Sequence, residues 1–237
     1  MNRLHVTFVV STFALFLGCA ADPGTKPHDM SAAQHEAMAD QEQKAADEHA
    51  DQHDPAATAT TTNCSGKGGC WSSVSNPTAQ HSDDAKAHRE LAQKHRAASA
   101  ALSEAESRAC AGIPDDDRDI SPFYHREDIE SVSPLFVETK SGKGVVKKEV
   151  GVTVVFRAVP GLTAEWLQRV VDCHIARASS VGHDMPEMSY CPLVVKGATA
   201  KVTSVGDGFA VNVSADDSTA SAEIAKRGQA LKAGGAS

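Results

Sequence analysis

Apolar residues are spread unevenly along this 237-residue chain, and their absence is as telling as their periodicity. Between Ala20 and Ser73 there is no Val, Ile, Leu, Phe or Tyr; the large apolar residues of that stretch are Met30, Met38 and Trp71. Such a segment buries too little surface to offset its ordering entropy. Residues 19–80 therefore read as a spacer, disordered or, over the Ala/Gln/Glu-rich part from Ser31 to His53, a solvated helix without an apolar stripe. From Ser82 the pattern changes. Leu91, Ala98, Leu102, Ala105 and Ala109 recur at spacings of three, four or seven. That periodicity predicts a long helix over 81–112, stopped by Gly112 and Pro114. The stripe is narrow and alanine-rich, which suits close packing on a sheet or another helix.

Residues 113–134 read as an irregular connection, and 135–233 as a small α+β domain. A short strand at Leu135–Thr139 leads through Ser141-Gly-Lys-Gly into a longer strand, Val145–Val159, where Val152, Val154, Phe156 and Ala158 alternate onto one face. Thr163 is placed to cap a helix to about Ser179, with Trp166, Leu167, Val170, Val171 and His174 on one side. Alternating strands on either side of Gly206-Asp207-Gly208 predict a hairpin. Asp216 or Asp217 then caps a last helix to about Lys232. The order α–β–β–α–β–β–α predicts an α+β fold: a long helix, then a two-layer sandwich of a mainly antiparallel sheet with helices.

The first residues carry a different signal. Arg3 precedes an apolar run from Val6 to Leu17, too short to span a bilayer and of the size of a signal-peptide core. It closes on Leu15-Phe16-Leu17-Gly18-Cys19. That ending resembles the lipobox of bacterial lipoproteins, with Phe16 where the family usually has Leu. The resemblance implies that residues 1–18 are removed and that Cys19 is acylated, so the chain is held to a membrane of the bacterial envelope by lipid. Ala20 takes the place of the Asp that in this family often signals inner-membrane retention, which points to the outer membrane. The alternative is an ordinary secreted protein cleaved near Ala21. The segment Ala198–Lys232, a hairpin followed by a capped helix, also resembles the BON module of periplasmic proteins, without that family's closing Gly-Val-x-x-Val strand.

Export implies an oxidising compartment, so the cysteines beyond Cys19 are expected to form disulfides. Cys64 and Cys70 enclose a small glycine-rich ring, and Cys173–Cys191 would tie a Pro-bounded loop to the preceding helix. Cys110 is left over by that pairing. The net charge is −8 over the whole chain, and most of it lies in the spacer, where residues 20–62 hold nine acidic side chains against two lysines. An acidic chain of this kind is not a nucleic-acid binder, since phosphates demand clustered cations.

Histidine placement is the sharpest chemical pattern. His81, His88 and His95 fall at heptad spacing; His28, His35 and His49 share the same period, with Glu42 filling the gap. Seven residues rise about 10.5 Å along a helix, too far for two imidazoles of one helix to share an ion without a partner at i+3 or i+4. The readings are a polar, mildly titratable face or a weak histidine buffer for Zn²⁺, Ni²⁺ or Cu²⁺. A second set, His174, His183, Met185 and Met188, combines imidazole and thioether donors suited to copper or zinc; its alternative is a core His174 beside the Cys173–Cys191 bridge. Asp115–Asp119 lacks the ligand pattern of a calcium loop. His125, Glu127 and Asp128 supply acid/base groups, but no nucleophile elbow accompanies them. The leading expectation is a non-catalytic binding or structural module whose partner is a protein or envelope component. A metal-binding lipoprotein stands second, and an enzyme third.

Overall fold

The computed structural model describes residues 24–66, 68–141 and 144–233. The apolar run Val6–Leu17 and Cys19, with the signal-peptide and acylation expectations they carry, lie outside the described residues. Among the described residues, no helix is long and apolar enough to cross a membrane.

The helices and strands follow in the order α1 (Ala32–Gln52), β1 (Ala59–Cys64), β2 (Cys70–Ser75), α2 (Ala79–Ala109), α3 (Asp115–Asp119), β3 (Ile129–Ser141), β4 (Gly144–Phe156), α4 (Ala164–Ser180), β5 (Thr199–Val205), β6 (Gly208–Ser214) and α5 (Ser218–Ala233). From α2 onward, leaving aside the single turn α3, this is the predicted α–β–β–α–β–β–α order. Strands β3 to β6 form one antiparallel sheet in the order β3-β4-β6-β5. Val152, Val154, Phe156, Val211 and Val213 turn into the core, where Leu167, Val171, Ile224 and Leu231 of α4 and α5 cover them. Helices therefore lie on one face of the sheet, the expected two-layer sandwich.

Local chemistry accounts for the element ends. The Thr163 hydroxyl accepts the Trp166 N–H at 3.2 Å, and Asp217 Oδ1 accepts the Ala220 N–H at 2.9 Å. Gly206 takes φ +54° in the two-residue turn joining β5 to β6. Strand β3 starts at Ile129 rather than Leu135, so the irregular connection is shorter than predicted. Pro134 is tolerated within β3 because that strand is the sheet edge. Gly228 lets α5 lie directly on β4: a Cβ there would sit 2.6 Å from Val152 Cγ2.

Two expectations are corrected. The spacer holds regular, packed structure: α1 lies antiparallel against α2 and buries His35, Ala39 and Ala46 to 0% exposure, while β1 and β2 form an exposed ribbon between the two helices. A helix without Leu or Val still packs when its buried positions are small enough for two backbones to approach. The second correction concerns the thiols. The Cys64–Cys70 ring closes, but Cys173 is bonded to Cys110, and Cys191 is a free, buried thiol. Cys110 follows the end of α2, which packs on α4, so it reaches Cys173 with a Cα–Cα distance of 4.6 Å. Cys191 instead receives a hydrogen bond from the Ser121 hydroxyl at 3.2 Å inside the main core. Burial pushes its thiol pKa up.

Candidate metal centre in the helical hairpin

The two histidine heptads meet. Ser31 caps α1 through a reciprocal box with Gln34, and the antiparallel register then pairs His35 with His95, Glu42 with His88, and His49 with His81. Between these polar layers lie Ala39, Ala46, Ala85 and Ala92, each at most 2% exposed. The seam thus repeats as an antiparallel coiled coil does, with alanine at one core position and a titratable group at the other.

At the end near the start of α1, His35 Nδ1 and His95 Nδ1 stand 3.0 Å apart and buried. His35 Nε2 lies 3.1 Å from Lys26 O and 3.3 Å from Pro27 O, both acceptors, so it must carry a hydrogen. One of the two Nδ1 atoms donates to the other, so at least one of the two rings is neutral. Burial first, and His35 second, hold the His95 pKa below its ordinary value, with Glu42 opposing them. One layer along, Glu42 Oε2 lies 2.6 Å from His88 Nδ1, a charge-assisted contact when the imidazole is protonated.

At the far end the arrangement opens. His49 Nδ1 and His81 Nδ1 are 3.1 Å apart, and the His49 ring stacks on His88 at 5.4 Å between centroids. Asp84, one turn after His81, brings a carboxylate oxygen, so that His49, His81 and Asp84 hold three ligand atoms within 4.8 Å of one another. Two nitrogens bound tetrahedrally to one zinc at about 2.0–2.1 Å stand roughly 3.3 Å apart. The observed 3.1 Å is close to that spacing. All three residues are half-buried, which leaves a side open for a fourth ligand or water. Nearby, at the entry to α2, His53 Nδ1 lies 3.1 Å from Thr78 O. As that carbonyl only accepts, His53 is the donor there.

The ligands named from sequence lie elsewhere. His174 Nε2 donates to Asp117 O and Ile120 O at 3.1 and 3.0 Å, the satisfied core histidine of the alternative reading, and burial lowers its pKa. His183, at φ +64°, uses Nδ1 on Val194 O at 2.9 Å. Met185 and Met188 are buried in the main core. Each of the four is thus engaged by packing or backbone. Among the described residues, the one group of His, Cys, Asp and Glu side chains close enough to hold an ion is on the hairpin. Asp84 has no signal in the sequence beyond its place three residues after His81; because α2 starts at Ala79, it falls within the helix and meets His49 of α1. No protein family model, no curated protein and no solved structure matches this chain.

Proposed function

We propose that this chain is a lipid-anchored protein of the bacterial envelope that takes up a divalent transition-metal ion, zinc foremost, on its α1/α2 hairpin. The observation that carries the reading is the convergence of His49, His81 and Asp84 from two helices on one point. Imidazole with carboxylate suits Zn²⁺, Ni²⁺ and Cu²⁺; zinc is favoured by the near-tetrahedral nitrogen spacing and the open fourth position. The lipid anchor rests on the Leu-Gly-Cys19 ending of the leader and would be acylation at Cys19, at the outer rather than the inner membrane. Three half-buried ligands make an exchangeable site, suited to buffering or delivery. The reading assigns no reaction.

The test is calorimetric titration of the full chain, purified in mild detergent, with Zn²⁺ at neutral pH. One ion per chain is expected. His49→Ala and His81→Ala should each remove uptake, and Asp84→Asn should weaken it. Uptake that persists in the His49→Ala/His81→Ala double variant, or no uptake by the parent, would overturn the metal reading. Intact mass of the membrane-extracted protein tests the anchor separately: a mass equal to the unmodified chain beginning near Ala21 would remove acylation at Cys19.

A further inference from the structure

A second cavity lies beside the start of α4. The loop after β4, the start of α4 and the turns after α3 enclose a half-open cavity of about 260 Å³. Its walls are apolar: Phe156, Leu162, Trp166, Leu167 and Val170, with Ile120 and Pro122 opposite. Asp116, Asp117 and Asp128 are also among its lining residues, together with His125. Among the described residues, none of these three aspartates takes part in an ion pair. Arg157 donates its backbone N–H to Asp128 O at 2.9 Å, and the other arginines close by are engaged elsewhere. Arg118 pairs with Asp115 and Asp119, and Arg177 pairs with Asp119. Arg169 donates to Ala111 O at 2.6 Å and stacks on the Trp166 ring, while Arg126 lies over Tyr190.

An apolar hollow of this size accommodates one small ring or short alkyl group, and a few polar groups at its edge set orientation and selectivity. Three uncompensated carboxylates select against anions and for a positive charge. We propose that this cavity binds a small amphipathic organic cation: an alkyl- or arylammonium whose apolar end enters between Phe156, Leu162 and Trp166. Its ammonium hydrogens donate to the carboxylates of Asp116 and Asp128. Arg169 covers one face of the Trp166 indole, 5.2 Å from the ring centroid, so the ligand's charge is held at the carboxylates and not on that face. The proposal is independent of the hairpin metal site.

Tryptophan fluorescence reads it directly. The chain has two tryptophans, and Trp71 is 60% exposed on the β1–β2 ribbon, so Trp71→Phe leaves Trp166 as reporter. The full chain in detergent, with EDTA present to silence the hairpin, is titrated with phenethylammonium, with neutral 2-phenylethanol and with 3-phenylpropionate. Phenethylammonium should saturate the signal, 2-phenylethanol should bind at least about tenfold more weakly, and the anion should give no saturable change, since a hydrogen bond to a charged partner is at stake. Asp116→Asn with Asp128→Asn should abolish the preference for the cation while leaving weak binding of the alcohol. Val159→Trp, which fills the half-buried mouth, should remove both. Equal affinity for cation and alcohol, a preference unchanged in the double Asn variant, or no saturable binding of the ammonium would each overturn the proposal.

Discussion

Removing the Cys110–Cys173 bridge is the most informative single perturbation of the folded part. The two cysteines are separated by 63 residues. Cross-linking a loop of that length removes about 14 cal/mol/K of chain entropy from the unfolded ensemble, or about 4 kcal/mol at 25 °C. Cys173 is 0% exposed and packs with Ile113 and Val170, with Trp166 alongside. Replacing both cysteines by alanine therefore also strips packing from that satellite cluster. With a urea slope near 2 kcal/mol/M, the midpoint of Cys110→Ala/Cys173→Ala should fall by about 2 M. The matched control is Cys64→Ala/Cys70→Ala. That bridge spans a separation of 6 on a ribbon that is exposed along almost its whole length, so the transition of the sheet core should hardly move. Far-UV circular dichroism against urea reads both variants. Equal midpoints for parent and Cys110→Ala/Cys173→Ala would refute the reasoning, as would a non-reducing peptide map that joins Cys173 to Cys191.

Other outcomes follow from the same structure. In the parent under non-reducing conditions, one thiol beyond Cys19 should react with a chromogenic disulfide reagent only after denaturation, because Cys191 is buried; rapid native labelling would contradict its placement. Folding should weaken with acid. His174 is held below its ordinary value of 6.5 by burial, so between that value and its lowered one the unfolded chain binds the extra proton and stability falls as pH falls. A urea midpoint that rises on acidification would be the wrong sign. Gly228→Ala drives a methyl to 2.6 Å from Val152 Cγ2 and should cost about 1–3 kcal/mol by overpacking. Calorimetric melting checks it, and an unchanged melting temperature would show that α5 does not rest on β4 as described.

The sheet domain was legible because its signals are local. Alternation at Val152, Val154 and Phe156 set the face of β4, and Thr163 and the Gly206-Asp207 turn marked where elements begin or reverse. The Cys64–Cys70 ring was legible from its short spacing, but the partner of Cys173 was not. It depends on where the end of α2 meets α4, a tertiary contact that no spacing between Cys110, Cys173 and Cys191 encodes. The hairpin was half legible. The heptads of His35, Glu42 and His49 and of His81, His88 and His95 were visible, but a packed face was sought in Leu, Ile and Val, and a chelating partner on the same helix. The structure supplies both from the facing helix, with alanines as the packing residues.

That substitution of alanine and histidine for large apolar residues ties the hairpin's stability to its chemistry. Alanine burial contributes little area, at roughly 25 cal/mol per Å², so α1 has no aliphatic stripe to hold it on α2. What distinguishes bound from free α1 is the set of polar layers. His35 and His95 meet through their Nδ1 atoms, His88 Nδ1 lies 2.6 Å from Glu42 Oε2, and His49 and His81 bring two ring nitrogens to 3.1 Å. A metal held as proposed at His49, His81 and Asp84 would need deprotonated ring nitrogens, so its uptake would weaken in acid. An aliphatic seam would hold α1 more tightly; this one leaves closure of the hairpin to contacts between polar groups.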